Sequence, residues 1–154
     1  MRPRARSSKR GSAIIEFALS AAVLVPCLAG TFQFGYGMYS YNRLQGAVNE
    51  GARYAALRTY RSANGATDTN KVKLAIKNVV VYATPSPSDG ATPTIAGLST
   101  GNVNVTYDAA VPSTVKVNIS SFTVNTLFAS YTFTNKPAAT YPFLGRYAPS
   151  ESEP

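Results

Sequence analysis

The sequence of 154 residues contains no histidine and no tryptophan, and Cys27 is its single cysteine. Histidine is the commonest general base and the commonest metal ligand, so Ser-His-Asp and Cys-His catalysis within this chain are excluded. A lone cysteine cannot form an intramolecular disulfide or a Cys-x-x-Cys metal site. Because Cys27 lies inside a long apolar run, we expect it to act as a small hydrophobic residue in a helix.

Acidic residues are also scarce, seven in the whole chain. In the segment that follows the helical region, Asp89 and Asp108 stand alone in turn-like contexts. That segment has no glycine-rich phosphate loop, no cluster of metal ligands and no paired carboxylates. We therefore expect a protein that is not an enzyme and that uses no cofactor and no metal.

The positive charge of the chain is concentrated at its beginning. The formal net charge is +8, and five of the fifteen basic residues lie in the first ten positions: Arg2, Arg4, Arg6, Lys9 and Arg10. A basic cluster directly before an apolar run indicates membrane topology, with the N-terminus in the cytoplasm and the rest of the chain outside. We expect no nucleic-acid partner, because this cluster and the scattered arginines further on are better explained by topology and by solvated helix surfaces.

Residues 12–36 are predicted to form a transmembrane helix in the lipid bilayer. The strongly apolar part, residues 14–36, would extend over about 33 Å as a helix, which matches a hydrocarbon core of about 30 Å. The tyrosines at its far end favour the headgroup zone. A face of small side chains favours lateral packing against another helix: Ala18, Ala22 and Ala29, with Val25 beside them.

Three interpretations of the N-terminal region remain open on these residues. A basic prepilin-type leader, residues 1–11, would be cut between Gly11 and Ser12 on the cytoplasmic side, and the apolar helix would be retained. A secretory signal peptide would instead be cut after Ala29. In the third interpretation the chain stays uncleaved as a membrane anchor. A lipoprotein signal is disfavoured, because Pro26 directly precedes Cys27.

Glu16 places a carboxylate near the start of the apolar run, where a charge costs about 2.5–3.5 kcal/mol on insertion scales. Cleavage after Gly11 would create an α-ammonium group at Ser12. Glu16 of one subunit could then neutralise the α-ammonium of a neighbouring subunit and set the register of an assembly. For an isolated helix, the alternative is that Glu16 reaches back to the cytoplasmic interface.

The periodicity beyond the membrane predicts an α+β fold. Residues 37–83 form an amphipathic helical region, in which the long helix continues and a second, short helix follows a turn at residues 61–66, with Asp68 as its cap. Residues 84–136 form a β-rich outer domain with about three antiparallel strands. Residues 137–154 are expected to be an irregular tail. The apolar positions that define these elements are Leu44, Val48, Ala55, Val72, Ala75, Ile76, Val79, Val103, Val105, Tyr107, Val115, Val117, Ile119, Tyr131 and Phe133.

One block of the sequence is Gly11-Ser12-Ala13-Ile14-Ile15-Glu16-Phe17-Ala18, and a second contains Glu50, Gly51, Ala52 and Arg53 within residues 49–56. Together these two blocks resemble the TadE-like proteins of tight-adherence (Flp-type) pilus systems. The resemblance implies a minor pilin or pseudopilin of the bacterial inner membrane, with Gly11 and Ser12 at the cleavage site and Glu16 as the assembly acid. The implied partners are a prepilin peptidase, other pilins and the pilus assembly machinery.

Two other functions remain compatible with the residues. The first is a secreted soluble binding module that signal peptidase releases after Ala29. The second is an uncleaved, membrane-anchored interaction protein of the bacterial envelope. The N-terminal residue of the mature protein distinguishes these possibilities, because a pseudopilin would begin at Ser12 and a secreted module at Gly30.

Overall fold

The computed structural model describes residues 9–57, 69–108, 113–126 and 129–144. These ranges contain two helices, α1 (Lys9–Leu57) and α2 (Thr69–Tyr82), and a short 3-10 turn at Thr100–Asn102. They also contain five strands: β1 (Val103–Asp108), β2 (Thr114–Ile119), β3 (Ser121–Asn125), β4 (Ser130–Thr134) and β5 (Ala138–Pro142). The predicted α+β fold, with a long first helix, a short second helix and a small antiparallel sheet, is confirmed.

The 49 residues of α1 form one helix that has two different environments. In its first half the large apolar side chains are exposed, as illustrated by Ile14 at 69%, Phe17 at 76% and Phe32 at 69%. In its second half the predicted apolar face is fully buried, with Leu44 and Val48 at 0% exposure. The helix continues through Pro26 without a break. At 1.5 Å per residue it is about 70 Å long, so it extends well beyond the folded part of the chain.

The second helix packs beside the second half of α1. Two of its predicted core residues, Ile76 and Val79, are buried, and Val80 and Val81 are buried with them. The other two, Val72 and Ala75, are partly buried. The predicted turn at residues 61–66 and the Asp68 cap lie outside the described residues.

The two helices cover one face of a three-stranded antiparallel sheet with the order β1-β2-β5. In the central strand β2, Val115, Val117 and Ile119 are fully buried. Val105 is paired with Val117 across the β1–β2 ladder, so the buried side chains of the two strands lie on one face. The period-two pattern predicted for β1 and β2 is therefore confirmed, since alternate residues of a strand point to opposite faces.

The remaining strands, β3 and β4, form a separate antiparallel hairpin. This hairpin contacts α1 near the point where the exposed apolar half of the helix ends. Phe133 of β4 packs against Tyr41, with ring centroids 5.7 Å apart. A Cβ atom at Gly37 would lie 3.6 Å from the ring of Tyr131, so the hairpin follows the helix towards its first half.

The prediction of an irregular segment after residue 136 is wrong for Ala138–Pro142, which forms β5. Pro137 directly precedes the strand and Pro142 is its last residue, and prolines are typical of irregular chain, but β5 lies at the edge of the sheet, where proline is tolerated. Its order comes from pairing with β2, which places Ala139 opposite Val117 and Tyr141 opposite Val115. The prediction of about three strands is also too low, since the described residues contain five. One missed strand is β3, which follows β2 after a single residue, Ser120.

We expect Leu44→Ala to destabilise the outer domain strongly. Leu44 is fully buried among the helices and the sheet, and replacing such a leucine with alanine typically costs about 2–5 kcal/mol. Leu74→Ala is the matched control, because Leu74 on α2 is 53% exposed and surface changes usually stay within about 0.5 kcal/mol. Urea unfolding in detergent micelles, followed by near-UV circular dichroism of the tyrosines, measures both. Equal losses would contradict this assignment of the core.

Candidate functional site

The N-terminal site residues lie in the first two turns of the apolar half of α1. Gly11, Ser12 and Glu16 are all exposed. The neighbours of Glu16 in the sequence, Ile15 and Phe17, are exposed apolar residues. Within the part of the chain that the structure describes, Glu16 makes no ion pair. In a bilayer this charge would be costly, so it requires a partner from another molecule or a route to the interface.

The small-residue face predicted for lateral packing lies on the same half of α1. Ala18 and Ala22 are exposed and Ala29 is partly buried. Small side chains allow the backbones of two membrane helices to approach closely, which is how such helices associate in lipid. Packing of a second helix against Ala18, Ala22 and Ala29 remains a prediction.

The motif Glu50-Gly51-Ala52-Arg53 is divided between the inside and the outside of the domain. Gly51 and Ala52 are buried against the rest of the domain. Glu50 and Arg53 face solvent and form an i,i+3 ion pair, with 4.0 Å between Arg53 Nη1 and Glu50 Oε2 and side-chain exposures of 66% and 64%. An exposed pair of this kind contributes little to stability. The inner half of the motif therefore serves folding, and the outer half stays on the surface.

At Gly51 the second helix packs directly against the backbone of α1. A Cβ atom at this position would overlap Cγ2 of Val80 and lie 3.6 Å from the carbonyl oxygen of Ile76. Gly46, five residues earlier on the same helix, has open space around the corresponding position. The glycine of the motif is therefore needed because α2 occupies the space that a side chain would fill.

A cleft of about 360 Å³ opens where α1 leaves its apolar half. One wall comes from α1, one from β3 and one from the loop at residues 95–97. Arg43 is fixed at its edge: Nη2 donates a hydrogen bond of 2.8 Å to the carbonyl oxygen of Thr94, and the guanidinium lies 5.9 Å from the centre of the Tyr39 ring. The residues that line the cleft are Tyr36, Tyr39, Ser40, Arg43, Ile95, Ala96, Gly97, Phe122, Thr123, Val124 and Asn125.

Sequence reasoning did not find this cleft. The tyrosines of α1 were recognisable as interfacial residues, but β3 was not predicted and nothing local places the loop at residues 95–97 beside α1. A smaller cleft of about 220 Å³ lies at the other end of α1, between Arg53, Leu57 and the β5 side of the sheet. Across the described ranges, no three acidic or cysteine side chains come together as metal ligands would.

The N-terminal segment and the Glu50–Arg53 motif therefore lie on one helix, with about 50 Å of helix between Glu16 and Glu50. Residues 11–53 match the TadE-like protein family model. The match begins at the predicted cleavage site and ends at Arg53, and it confirms the resemblance seen in the sequence. The second helix and all five strands lie outside it. No curated protein and no solved structure matches the chain.

The first half of α1 has the length, the apolar composition and the exposure of a membrane-spanning helix. The helix is long and apolar enough to cross a membrane, and none of its most apolar window is buried. It fits a single-pass membrane anchor, and the TadE-like family links the chain to tight-adherence pilus systems.

We expect Gly51→Ala to destabilise the outer domain, because the added methyl group must displace Val80. Overpacking of this kind typically costs about 1–3 kcal/mol. Gly46→Ala is the matched control, since an alanine in an open helical position should stabilise the helix by about 0.5–1 kcal/mol relative to glycine. The two variants should therefore move the midpoint of urea unfolding in opposite directions. A shift of both in the same direction would contradict the close approach at Gly51.

Proposed function

We propose that this protein is a membrane-anchored minor pilin or pseudopilin that takes part in assembling a tight-adherence pilus or an allied secretion apparatus. The observation that carries this proposal is the division of α1. Its first half presents exposed apolar surface, and its second half is the central helix of a folded domain. Such a helix can hold a domain at the membrane and can also pack side by side with other helices of the same kind.

The basic cluster at residues 2–10 supports the proposed orientation. Arg2, Arg4, Arg6, Lys9 and Arg10 would keep the N-terminus in the cytoplasm. The apolar half of α1 would then cross the inner membrane once, and α2 and the strands would lie outside the cytoplasm, close to the membrane surface. The protein would act through contacts with lipid and with other proteins, not through catalysis.

The first partner in this proposal is a prepilin peptidase that cuts between Gly11 and Ser12. A peptidase must approach the backbone of the scissile bond closely, and glycine has no Cβ to obstruct it. The product would keep the entire apolar helix and would carry a new α-ammonium group at Ser12. Glu16 would be the fifth residue of this mature chain.

The second set of partners is other pilins, met through the apolar half of α1. When two such helices pack with a small stagger, Glu16 of one can lie beside the Ser12 α-ammonium of the other. Each charge offsets the desolvation cost of its partner, and the pair fixes the stagger. The exposure of Glu16 on α1 supports this role, because the carboxylate is accessible to a neighbour.

Replacing Gly11 with Ala or a bulkier residue should block processing and leave membrane insertion intact. Intact-mass analysis of the membrane-bound protein measures this, because wild type should lack residues 1–11 and the variant should retain them.

N-terminal sequencing of wild type distinguishes the rival functions. A mature chain that begins at Gly30 would support a secreted module, and an unprocessed wild-type chain would support an uncleaved anchor.

Glu16→Gln should preserve expression, insertion and cleavage but reduce association with other pilins. The amide keeps the shape of the side chain and loses its charge, so the Ser12 α-ammonium of the neighbour would be left unpaired, a change that typically costs about 3–5 kcal/mol when the charge is buried. Co-purification with pilus components at matched membrane levels measures the effect. Asp89→Asn, which removes an exposed charge from a loop, is the control. If Glu16→Gln co-purifies with pilus components as well as wild type and Asp89→Asn do, the assembly role is contradicted. The carboxylate would then only reach the membrane interface.

A further inference from the structure

We propose that the cleft between α1, β3 and the loop at residues 95–97 binds the headgroup of an anionic phospholipid, of the phosphatidylglycerol type, from the membrane leaflet on the side of the outer domain. The inference rests on the proposed insertion of α1 in a membrane and adds a specific lipid contact to it. The depth of the cleft, the cation at its edge and the neutral character of its other walls support this assignment.

The depth of the cleft follows from the geometry of α1. The apolar run ends at Tyr36, and Tyr39 lies about 4.5 Å further along the helix axis. The headgroup layer on each side of a bilayer is about 5–7 Å thick, the difference between the hydrocarbon core and the whole membrane. Both tyrosines line the cleft, so its wall on α1 lies at headgroup depth when residues 14–36 span the hydrocarbon core.

Arg43 is one turn beyond Tyr39, but its charge lies closer to the membrane than its Cα atom does. Side chains of a helix lean towards its N-terminus, here towards the bilayer. The guanidinium lies 5.9 Å from the centre of the Tyr39 ring, so the positive charge is close to a residue at headgroup depth. A cation is thus presented within the layer that contains the lipid phosphates.

The guanidinium is also restrained at the cleft. Its hydrogen bond to the carbonyl oxygen of Thr94, at 2.8 Å, ties the end of the side chain to the loop before residues 95–97. A guanidinium carries five N–H donors, so the Thr94 bond leaves donors for a phosphate. Paired N–H groups match the spacing of phosphate oxygens, and a restrained arginine loses little side-chain freedom on binding.

The remaining walls favour an anionic headgroup over a zwitterionic one. None of the described residues that line the cleft is acidic, so no carboxylate is present to accept an ammonium or choline group. The polar residues there, among them Ser40 and Asn125, offer hydroxyl and amide groups that suit the hydroxyls of a glycerol headgroup. Phe122 and Val124, which are largely buried in the core, contribute apolar atoms to the lining. A volume of about 360 Å³ lies within the range of ligand pockets.

The test uses the full chain in nanodiscs that contain equal amounts of phosphatidylglycerol and phosphatidylcholine. Native mass spectrometry of the released protein identifies the lipid that stays bound. Wild type should retain one phosphatidylglycerol in preference to phosphatidylcholine. Arg43→Gln should reduce that retention by about tenfold, the effect expected when a hydrogen bond to a charged group is lost. Arg43→Lys should retain an intermediate amount, because it keeps the charge without the paired donors.

Lys116→Gln is the matched control, since it removes one exposed positive charge from β2, outside the cleft. It should retain phosphatidylglycerol as wild type does. Circular dichroism in the same nanodiscs verifies that the variants are folded. Equal retention in wild type and Arg43→Gln would overturn the proposal, and so would equal retention of the two lipids by wild type. A chain that fails to enter nanodiscs would overturn membrane anchoring itself, which is a different result from a chain that enters and retains no lipid.

Discussion

The contact between α1 and α2 at Gly51 is the constraint on which the outer domain depends. Without a side chain at this position, Val80 reaches the surface of α1, and the two helices form a continuous apolar layer. The sheet β1-β2-β5 packs against that layer through alternate residues of its strands. A methyl group at Gly51 would push α2 away and open this core. Packing of the two helices therefore explains Gly51 and Ala52 in the motif Glu50-Gly51-Ala52-Arg53. This explanation does not depend on any partner of the exposed Glu50–Arg53 ion pair.

The continuity of α1 connects this folded domain to the membrane. Because one helix forms both the exposed apolar segment and the buried centre of the domain, the hairpin β3–β4 is held beside the end of the apolar segment. That placement creates the cleft at Arg43, with walls of helix, strand and loop. A bound lipid there would restrict how the domain tilts over the bilayer. In an assembly through α1, such a restriction would limit the orientations in which neighbouring domains meet.

The proposed assembly mechanism and the proposed lipid site use opposite ends of the apolar segment. In the proposed assembly, Glu16 lies near the cytoplasmic end and would pair with a cation from a neighbouring subunit. Arg43 lies beyond the other end and is held by contacts within its own domain. The first proposed contact would need a second molecule of protein, and the second would need only a lipid.

The sequence by itself determined the features that depend on local pattern. The length and composition of the apolar run, the amphipathic face with Leu44 and Val48, and the period-two pattern of β1 and β2 follow from neighbours in the chain. The resemblance at residues 11–53 was also local, because its two blocks lie on one helix. Only the tertiary structure decided the features that join distant segments. β5 forms in a proline-containing segment because β2 offers it an edge, Gly51 is required because α2 returns against α1, and the cleft exists because β3 and the loop at residues 95–97 meet the helix. Their physical origin is packing between elements far apart in sequence, which no local pattern encodes.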